Sequence, residues 1–141
     1  MPYTLEHSNL SVPDPQETIN FLLTAIPHWK IRSNGVYSEF EPHVNWWHVG
    51  DENTYIAIQD DGDEKLEMYS KRWTGIKHLG FSVPDLAALI SRLNKKGYCV
   101  SNESGPHPHR KGAYFHDRNG IEYEFIQYLS ENPVERNDYS I

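Results

Sequence analysis

Two histidines and a glutamate are the residues of this chain best suited to chemistry. His7 and His78 each stand third in a ten-residue segment that occurs twice, LEHSNLSVPD at Leu5–Asp14 and IKHLGFSVPD at Ile76–Asp85. A repeat of this length divides a short chain into two equivalent halves. Alternation along each copy sets the histidine on the polar face of a strand, with Leu10 and Val12, or Leu79, Phe81 and Val83, on the apolar face. Glu124 sits near the end of the second half in GIEYEFIQY. There Tyr123 and Phe125 point to one face, and Glu122 and Glu124 to the other. Two imidazoles and one carboxylate on one side of an ion, with other positions open, form the donor set of non-haem iron and equally suit catalytic zinc. Their convergence requires the two sheets to curl around a common cavity. The same residues also fit a plainer arrangement, since an antiparallel sheet commonly has one solvated face.

The elements that must carry these residues follow from punctuation and period. After the first strand, Asp14, Pro15 and Glu17 form an N-terminal capping signal. Ile19, Leu22, Leu23 and Ile26 then mark an amphipathic helix that Pro27 stops. Trp29–Arg32 reads as a strand, Ser33-Asn34-Gly35 as a turn and Val36–Phe40 as a further strand. Pro42–Asn45 reads as a loop. Trp46–Val49, the Gly50–Asn53 turn and Thr54–Gln59 read as a hairpin. The acidic run Asp60–Glu64 is the expected exposed linker.

The second half repeats the plan. Asp85 caps a helix with Leu86, Leu89, Ile90 and Leu93 on one stripe, and Gly97 takes its C-terminal left-handed position. Tyr98–Val100 reads as a strand, with Cys99 a small apolar residue in it, and Ser101–Lys111 as a loop. Gly112–His116, the turn Asp117–Gly120 and Ile121–Tyr128 make a final hairpin. The polar tail 130–141 is expected to lie on the surface or fray. The organisation is one domain over 1–141: a module at about 3–60, a linker at about 61–73, a second module at about 74–129, and the tail. Each module is strand, helix and three strands, with the helix covering the apolar face.

The composition bounds the partners. The 141 residues carry a net charge of −7, which disfavours nucleic acid and anionic membranes. No stretch approaches the roughly 20 apolar residues of a membrane span. The start, MPYTLEHSNL, has neither a basic nor an apolar signal-peptide region. Cys99 is the single cysteine, which rules out an intrachain disulfide. A cytoplasmic protein with a small-molecule substrate is the expectation. His109-Arg110-Lys111 could meet an anionic substrate or simply face water. His48 beside Trp46-Trp47 could line a pocket or pack at an edge.

The doubled strand–helix–three-strand unit, the strand-borne histidine pair and YFHDRNGIEYEF together resemble the vicinal oxygen chelate superfamily. This superfamily includes glyoxalase I, fosfomycin- and bleomycin-resistance proteins and extradiol dioxygenases. The resemblance runs from about Tyr3 to Tyr128. It implies an α+β fold of two βαβββ modules in tandem, forming a cupped, incompletely closed mixed β-barrel. It implies metal ligands at His7, His78 and Glu124, a divalent ion with Fe(II) favoured and Zn, Mn or Ni as others, and a homodimer whose sites can be shared between subunits.

The members differ at a few positions. Glyoxalase I generally has a carboxylate on the last strand of the first module. The counterpart of Glu124 there is Ala57, and Gln59 could substitute only with a register shift. Fosfomycin thiol transferases line the site with hydroxyls and a lysine, whereas Asn9 follows His7 here. Extradiol dioxygenases are similar in Gly105-Pro106-His107, Ala113-Tyr114, Asp117-Arg118-Asn119-Gly120 and Glu124, with Ala113 smaller than usual and Arg118 in place of proline. That likeness implies that Tyr114 hydrogen-bonds substrate or acts as an acid, that His107 stands behind it, and that a catecholate chelates the ion before ring cleavage. The alternative is a metal-free module of the bleomycin-resistance kind, which sequesters a flat ligand between aromatic walls.

Overall fold

The computed structural model describes residues 2–66 and 72–141. Residues 67–71, the middle of the expected linker, lie outside the described residues. The chain divides into two compact units, Met1–Leu66 and Glu67–Ile141. Among the described residues no helix is long and apolar enough to cross a membrane.

The first unit runs β1 (His7–Ser11), α1 (Pro15–Ala25), β2 (Lys30–Tyr37), β3 (Val44–Gly50) and β4 (Tyr55–Gln59). Its strands form one open sheet in the order β1-β4-β3-β2. The crossover through α1 lets β1 lie parallel to β4, while the other pairs are antiparallel. Asp14 caps α1 by accepting from the Glu17 amide at 3.4 Å. Thr18, Ile19, Phe21, Leu22 and Ala25 bury the inner face of α1. On the sheet, Leu10, Ile56, Ile58 and Val49 are likewise buried. Burial of this set supplies the apolar driving force of the unit.

The expected turn at Ser33-Asn34-Gly35 does not form. Lys30–Tyr37 is one strand with a bulge between Ile31 and Ser33. The reason lies across the sheet: Gly35 pairs with Trp46, and a Cβ at Gly35 would come within 2.7 Å of the Trp46 ring. The glycine therefore serves close approach of an indole to the backbone rather than a reversal of the chain. Part of the acidic run is also built into the unit. The Asn45 backbone and side-chain amides donate to Asp60 at 2.8 and 2.7 Å, and a Cβ at Gly62 would meet the Val12 backbone at 2.7 Å.

The second unit runs β5 (Leu79–Ser82), α2 (Leu86–Lys95), β6 (Asn102–Glu103), β7 (Arg110–His116), β8 (Glu122–Tyr128) and a short α3 (Pro133–Arg136). The sheet order β5-β8-β7-β6 and the parallel β5–β8 pair reproduce the first unit. Asp85 caps α2 by accepting from Ala88 N–H at 3.0 Å, and Gly97 takes φ +88° beyond its end. Leu86, Leu89 and Leu93 of α2 are buried, as are Tyr123, Phe125, Phe115 and Ala113 of the sheet.

Two expectations are corrected here. Tyr98–Val100 is not a strand and Cys99 is exposed. The chain reaches β7 only at Ser101, whose amide donates to Tyr114 O at 2.8 Å. The span Ser101–Lys111 is not wholly a loop, because it holds β6 and the start of β7. The tail lies on the surface, the first of the two alternatives expected for it, and is docked there. Asn132 caps α3, and Arg136 lies over the Tyr128 ring at 4.0 Å. Arg118, where the resemblance expects proline, clamps the end of α2: it donates to Tyr98 Oη at 3.1 Å and to Lys96 O at 3.3 Å.

Two turns fix the registers that the site depends on. Asp51 closes β3 to β4, accepting from the Asn53 and Thr54 amides at 2.9 and 3.1 Å, with His28 Nε2 at 3.1 Å. The Asn53 amide above all, then His28, holds the Asp51 carboxyl down at about 2. A carboxylate whose pKa falls on folding stabilises the native state above its unfolded pKa, and that stability fades as pH drops through the folded value. Asp51→Asn is expected to lose stability at pH 6 and to show a flatter urea-midpoint profile than the parent between about pH 4 and pH 2.

Asp117 closes β7 to β8. It is buried, and it accepts from the Asn119 and Ile121 amides and from the buried Tyr123 hydroxyl, each at 3.0 Å. Asp117→Ala leaves these donors dry, so a loss of about 3 kcal/mol is expected, read as a lowered denaturation midpoint.

Candidate functional site

The helix-free face of the second sheet gathers the chemistry. Register sets Tyr114 opposite Glu124 and His116 opposite Glu122 on the β7–β8 hairpin, with Gly80 of β5 beside Glu124. His78 stands immediately before β5 on the same side and touches both glutamates. Its Nε2 lies 3.2 Å from Glu124 Oε2, and its Nδ1 lies 3.4 Å from Glu122 Oε1. Glu122 is in turn 3.2 Å from His116 Nε2 through its other oxygen. The result is a continuous chain Glu124–His78–Glu122–His116 in which two carboxylates fix the orientation of one imidazole.

Tyr114 completes this end of the face. Its ring meets His78 edge-on at 5.5 Å. Burial, followed by the hydrogen bond with Glu124, pushes its phenol up to about 12, so it remains a proton donor across the ordinary pH range. Ser104 Oγ approaches Glu124 Oε1 at a long 3.5 Å. A Cβ at Gly80 would meet nothing within 4 Å, so the space beside Glu124 on the neighbouring strand is open.

The donor set can be tested against a divalent ion. Two ligand atoms each about 2.1 Å from one ion and about a right angle apart lie about 3 Å from each other. The 3.2 Å between His78 Nε2 and Glu124 Oε2 meets that condition. Glu122 on Nδ1 is the kind of partner that orients a ligating histidine. Among the described residues no group of three or more His, Cys, Asp or Glu side chains is gathered to hold an ion; the second unit supplies this pair.

Of the other expected site residues, His107 borders the same cavity as Tyr114 and Glu124. His7 belongs to the first unit, where it stacks on Tyr55 at 4.7 Å and bonds Glu6 at 2.9 Å. Its neighbours form a run of rings: Tyr55 to His48 at 4.5 Å, His48 to Trp46 at 4.7 Å and Trp46 to Tyr37 at 6.0 Å, with Arg32 over Tyr55 at 4.5 Å. Burial, then Arg32, lowers the His48 pKa. Asn9 pairs with Ala57 as Gly80 pairs with Glu124, so Ala57 is the counterpart of Glu124. Gln59 accepts from Asn9 at 2.7 Å. His107 is engaged by backbone at both nitrogens: Nε2 lies 2.8 Å from Asp138 O, and Nδ1 accepts from the His109 amide at 3.0 Å. It holds the tail against the sheet.

His116 and Glu122 are the residues that sequence reading passed over as site members. The available signal was alternation: His116 shares a face with Tyr114, and Glu122 with Glu124.

Comparison with known proteins agrees with the duplicated topology. The sequence model of the Glyoxalase/Bleomycin resistance protein/Dioxygenase superfamily matches residues 4–125. No match was found among curated proteins. Solved structures match over nearly the whole chain. A glyoxylase/bleomycin resistance protein/dioxygenase domain from Frankia sp. EAN1pec has 20% identity and a TM-score of 0.71, covering 91% of this chain and 99% of its own. A genomically encoded fosfomycin resistance protein from Listeria monocytogenes, complexed with Mn(II) and sulfate, has 18% identity and a TM-score of 0.66, covering 98% and 100%. The trypanothione-dependent glyoxalase I of Leishmania major has 16% identity and a TM-score of 0.68, covering 89% and 87%. At these identities the likeness is one of fold, and that fold is α+β with two βαβββ modules. By the sequence match and the duplicated module alike, the chain belongs to the Glyoxalase/Bleomycin resistance protein/Dioxygenase superfamily.

Proposed function

We propose that the chain is a metal-dependent enzyme acting on a small, oxygen-rich molecule, with His7, His78 and Glu124 as ligands of a divalent ion and Tyr114 serving the substrate. The observation that carries this reading is the 3.2 Å His78–Glu124 pair with Tyr114 beside it. The Mn(II) named for the Listeria relative supports a divalent ion, with Fe(II) favoured and Zn, Mn or Ni as others. The ion would supply Lewis acidity, holding two substrate oxygens side by side and easing their deprotonation.

The remaining work falls to the chain. Glu122 holds the Nδ1 side of His78, so that Nε2 faces Glu124. Tyr114 stays protonated and donates a hydrogen bond where negative charge gathers on a substrate oxygen. The open space at Gly80 admits the reacting end of the substrate. Ring cleavage of a catechol-like substrate is favoured over glyoxalase I isomerisation, because Ala57 offers no carboxylate at the position equivalent to Glu124. The single domain is the catalytic entity, and it works as a homodimer.

One observation favours a second reading. The stack Tyr37–Trp46–His48–Tyr55–His7 presents ring faces of the kind a metal-free module would use for a flat ligand. Metal content of protein purified without a chelating tag, and after anaerobic Fe(II) addition, separates the two. About one ion per chain is expected, lost in His7→Ala, His78→Ala and Glu124→Ala. Glu122→Gln should weaken binding about 10- to 100-fold without abolishing it. Parent protein that takes up no divalent ion would leave the sequestering module, followed by tryptophan fluorescence. Oxygen uptake with catechols tests the chemistry, and light scattering tests the dimer.

A further inference from the structure

The second unit contains a cavity of about 660 Å³ that extends well beyond Glu124. Strand register orders its wall. Tyr114 and Glu124 stand at one end, Ile126 comes next, and Arg110 and Tyr128 stand at the other. Four residue steps along β7 separate Tyr114 from Arg110, about 13 Å of strand. The middle is walled by Ile126 and by Ser104, whose side chain sits over Gly112 in the space a Cβ would fill. The cavity is therefore bipolar, with a carboxylate and a phenol at one end and a guanidinium at the other.

Arg110 is poised for a ligand. It is half-buried. Its guanidinium lies over the Tyr139 ring at 4.7 Å and donates one long bond, 3.5 Å, to Arg136 O. A guanidinium has five N–H donors, and among the described residues no carboxylate forms an ion pair with this one. Tyr128 and Tyr139 add ring surface around it. Lys111 also borders the cavity but is exposed, so water and salt screen it more.

We propose that this cavity selects a planar aromatic molecule bearing one carboxylate, with Arg110 as the specificity-determining residue that receives the carboxylate and Tyr139 packing the ring. This rests on the reading of Tyr114 and Glu124 as the reacting end. The carboxylate is gripped at Arg110, the ring lies along Ile126, and the far edge of the ring is presented toward Glu124. One guanidinium matches one negative charge, and its fork suits the two carboxylate oxygens.

The test uses the full chain with excess chelator, so that it reads the pocket independently of any bound ion. Phenylacetate and phenylacetamide are titrated and followed by amide chemical shifts. Phenylacetate is expected to bind about 10- to 100-fold more tightly, with shifts at Arg110 and Tyr139. Arg110→Gln should abolish that preference while retaining the parent's circular dichroism. Tyr139→Leu should weaken both ligands alike and keep the ratio. Lys111→Gln should leave both dissociation constants within about twofold. Equal binding of the two ligands by the parent, or a preference that survives in Arg110→Gln, overturns the proposal. Tighter binding of phenyl phosphate than of phenylacetate overturns the carboxylate class. Metal content of the same Arg110→Gln protein reads the ligand set separately: an unchanged ion count with lost selectivity supports the inference, and loss of both would assign Arg110 a structural role instead.

Discussion

The parallel pairing of each module's first strand with its last strand is the constraint on which the rest depends. A parallel neighbour cannot be reached by a tight turn; the chain must cross over, and here it crosses through a helix. That helix, α1 or α2, seals one face of its sheet with aliphatic and aromatic side chains. The opposite face is left to charged and polar residues in the second unit and to stacked rings in the first. The same pairing brings β5 beside β8, so that a histidine at the entry of the unit and a glutamate near its end meet although 46 positions separate them (His78 and Glu124). Neither residue is held by its local sequence; both are held by the sheet.

On that face the electrostatics are arranged in series. Glu124 and Glu122 each approach one nitrogen of His78, and His116 approaches the far oxygen of Glu122. Two neighbouring carboxylates on one strand face repel each other unless positive charge lies between them. His78 stands between them and engages both. Tyr114, its phenol held protonated by burial and by Glu124, adds a neutral donor beside them.

The modules and their helices were legible because their signals are local or periodic: the doubled SVPD with its aspartate cap, the helical stripes, and the alternation that separates Tyr123 and Phe125 from the glutamates. The failures have particular causes. Asn34-Gly35 carries a turn signal, but packing of Trp46 on Gly35 is a non-local use of the same glycine. Asn132-Pro133 carries a helix-start signal, yet the docking that makes the tail ordered comes from Arg110, His107 and Tyr128, which are distant in sequence. Glu122 shares the face of Glu124 by alternation, but its contacts with His116 and His78 depend on the hairpin register, which the buried Asp117 turn helps to set. The expected convergence is of His7, His78 and Glu124, and of these the second unit itself joins His78 and Glu124. His107 borders the same cavity as Tyr114 and Glu124, and its contact with Asp138 O, distant in sequence, ties it to the tail as well.

The equivalence of Ala57 and Glu124 has a bearing on how such a protein can change. After a small unit is duplicated, selection no longer requires both copies to keep every acidic side chain. The copy that carries alanine at this position is released from holding charge. Its face carries stacked rings instead. Exchange of one ring for another at Trp46 or His48 strands no carboxylate of that sheet, whereas loss of His78 leaves Glu122 and Glu124 on one face without the imidazole that engages both. The two halves of the molecule therefore differ in how much change their faces can absorb.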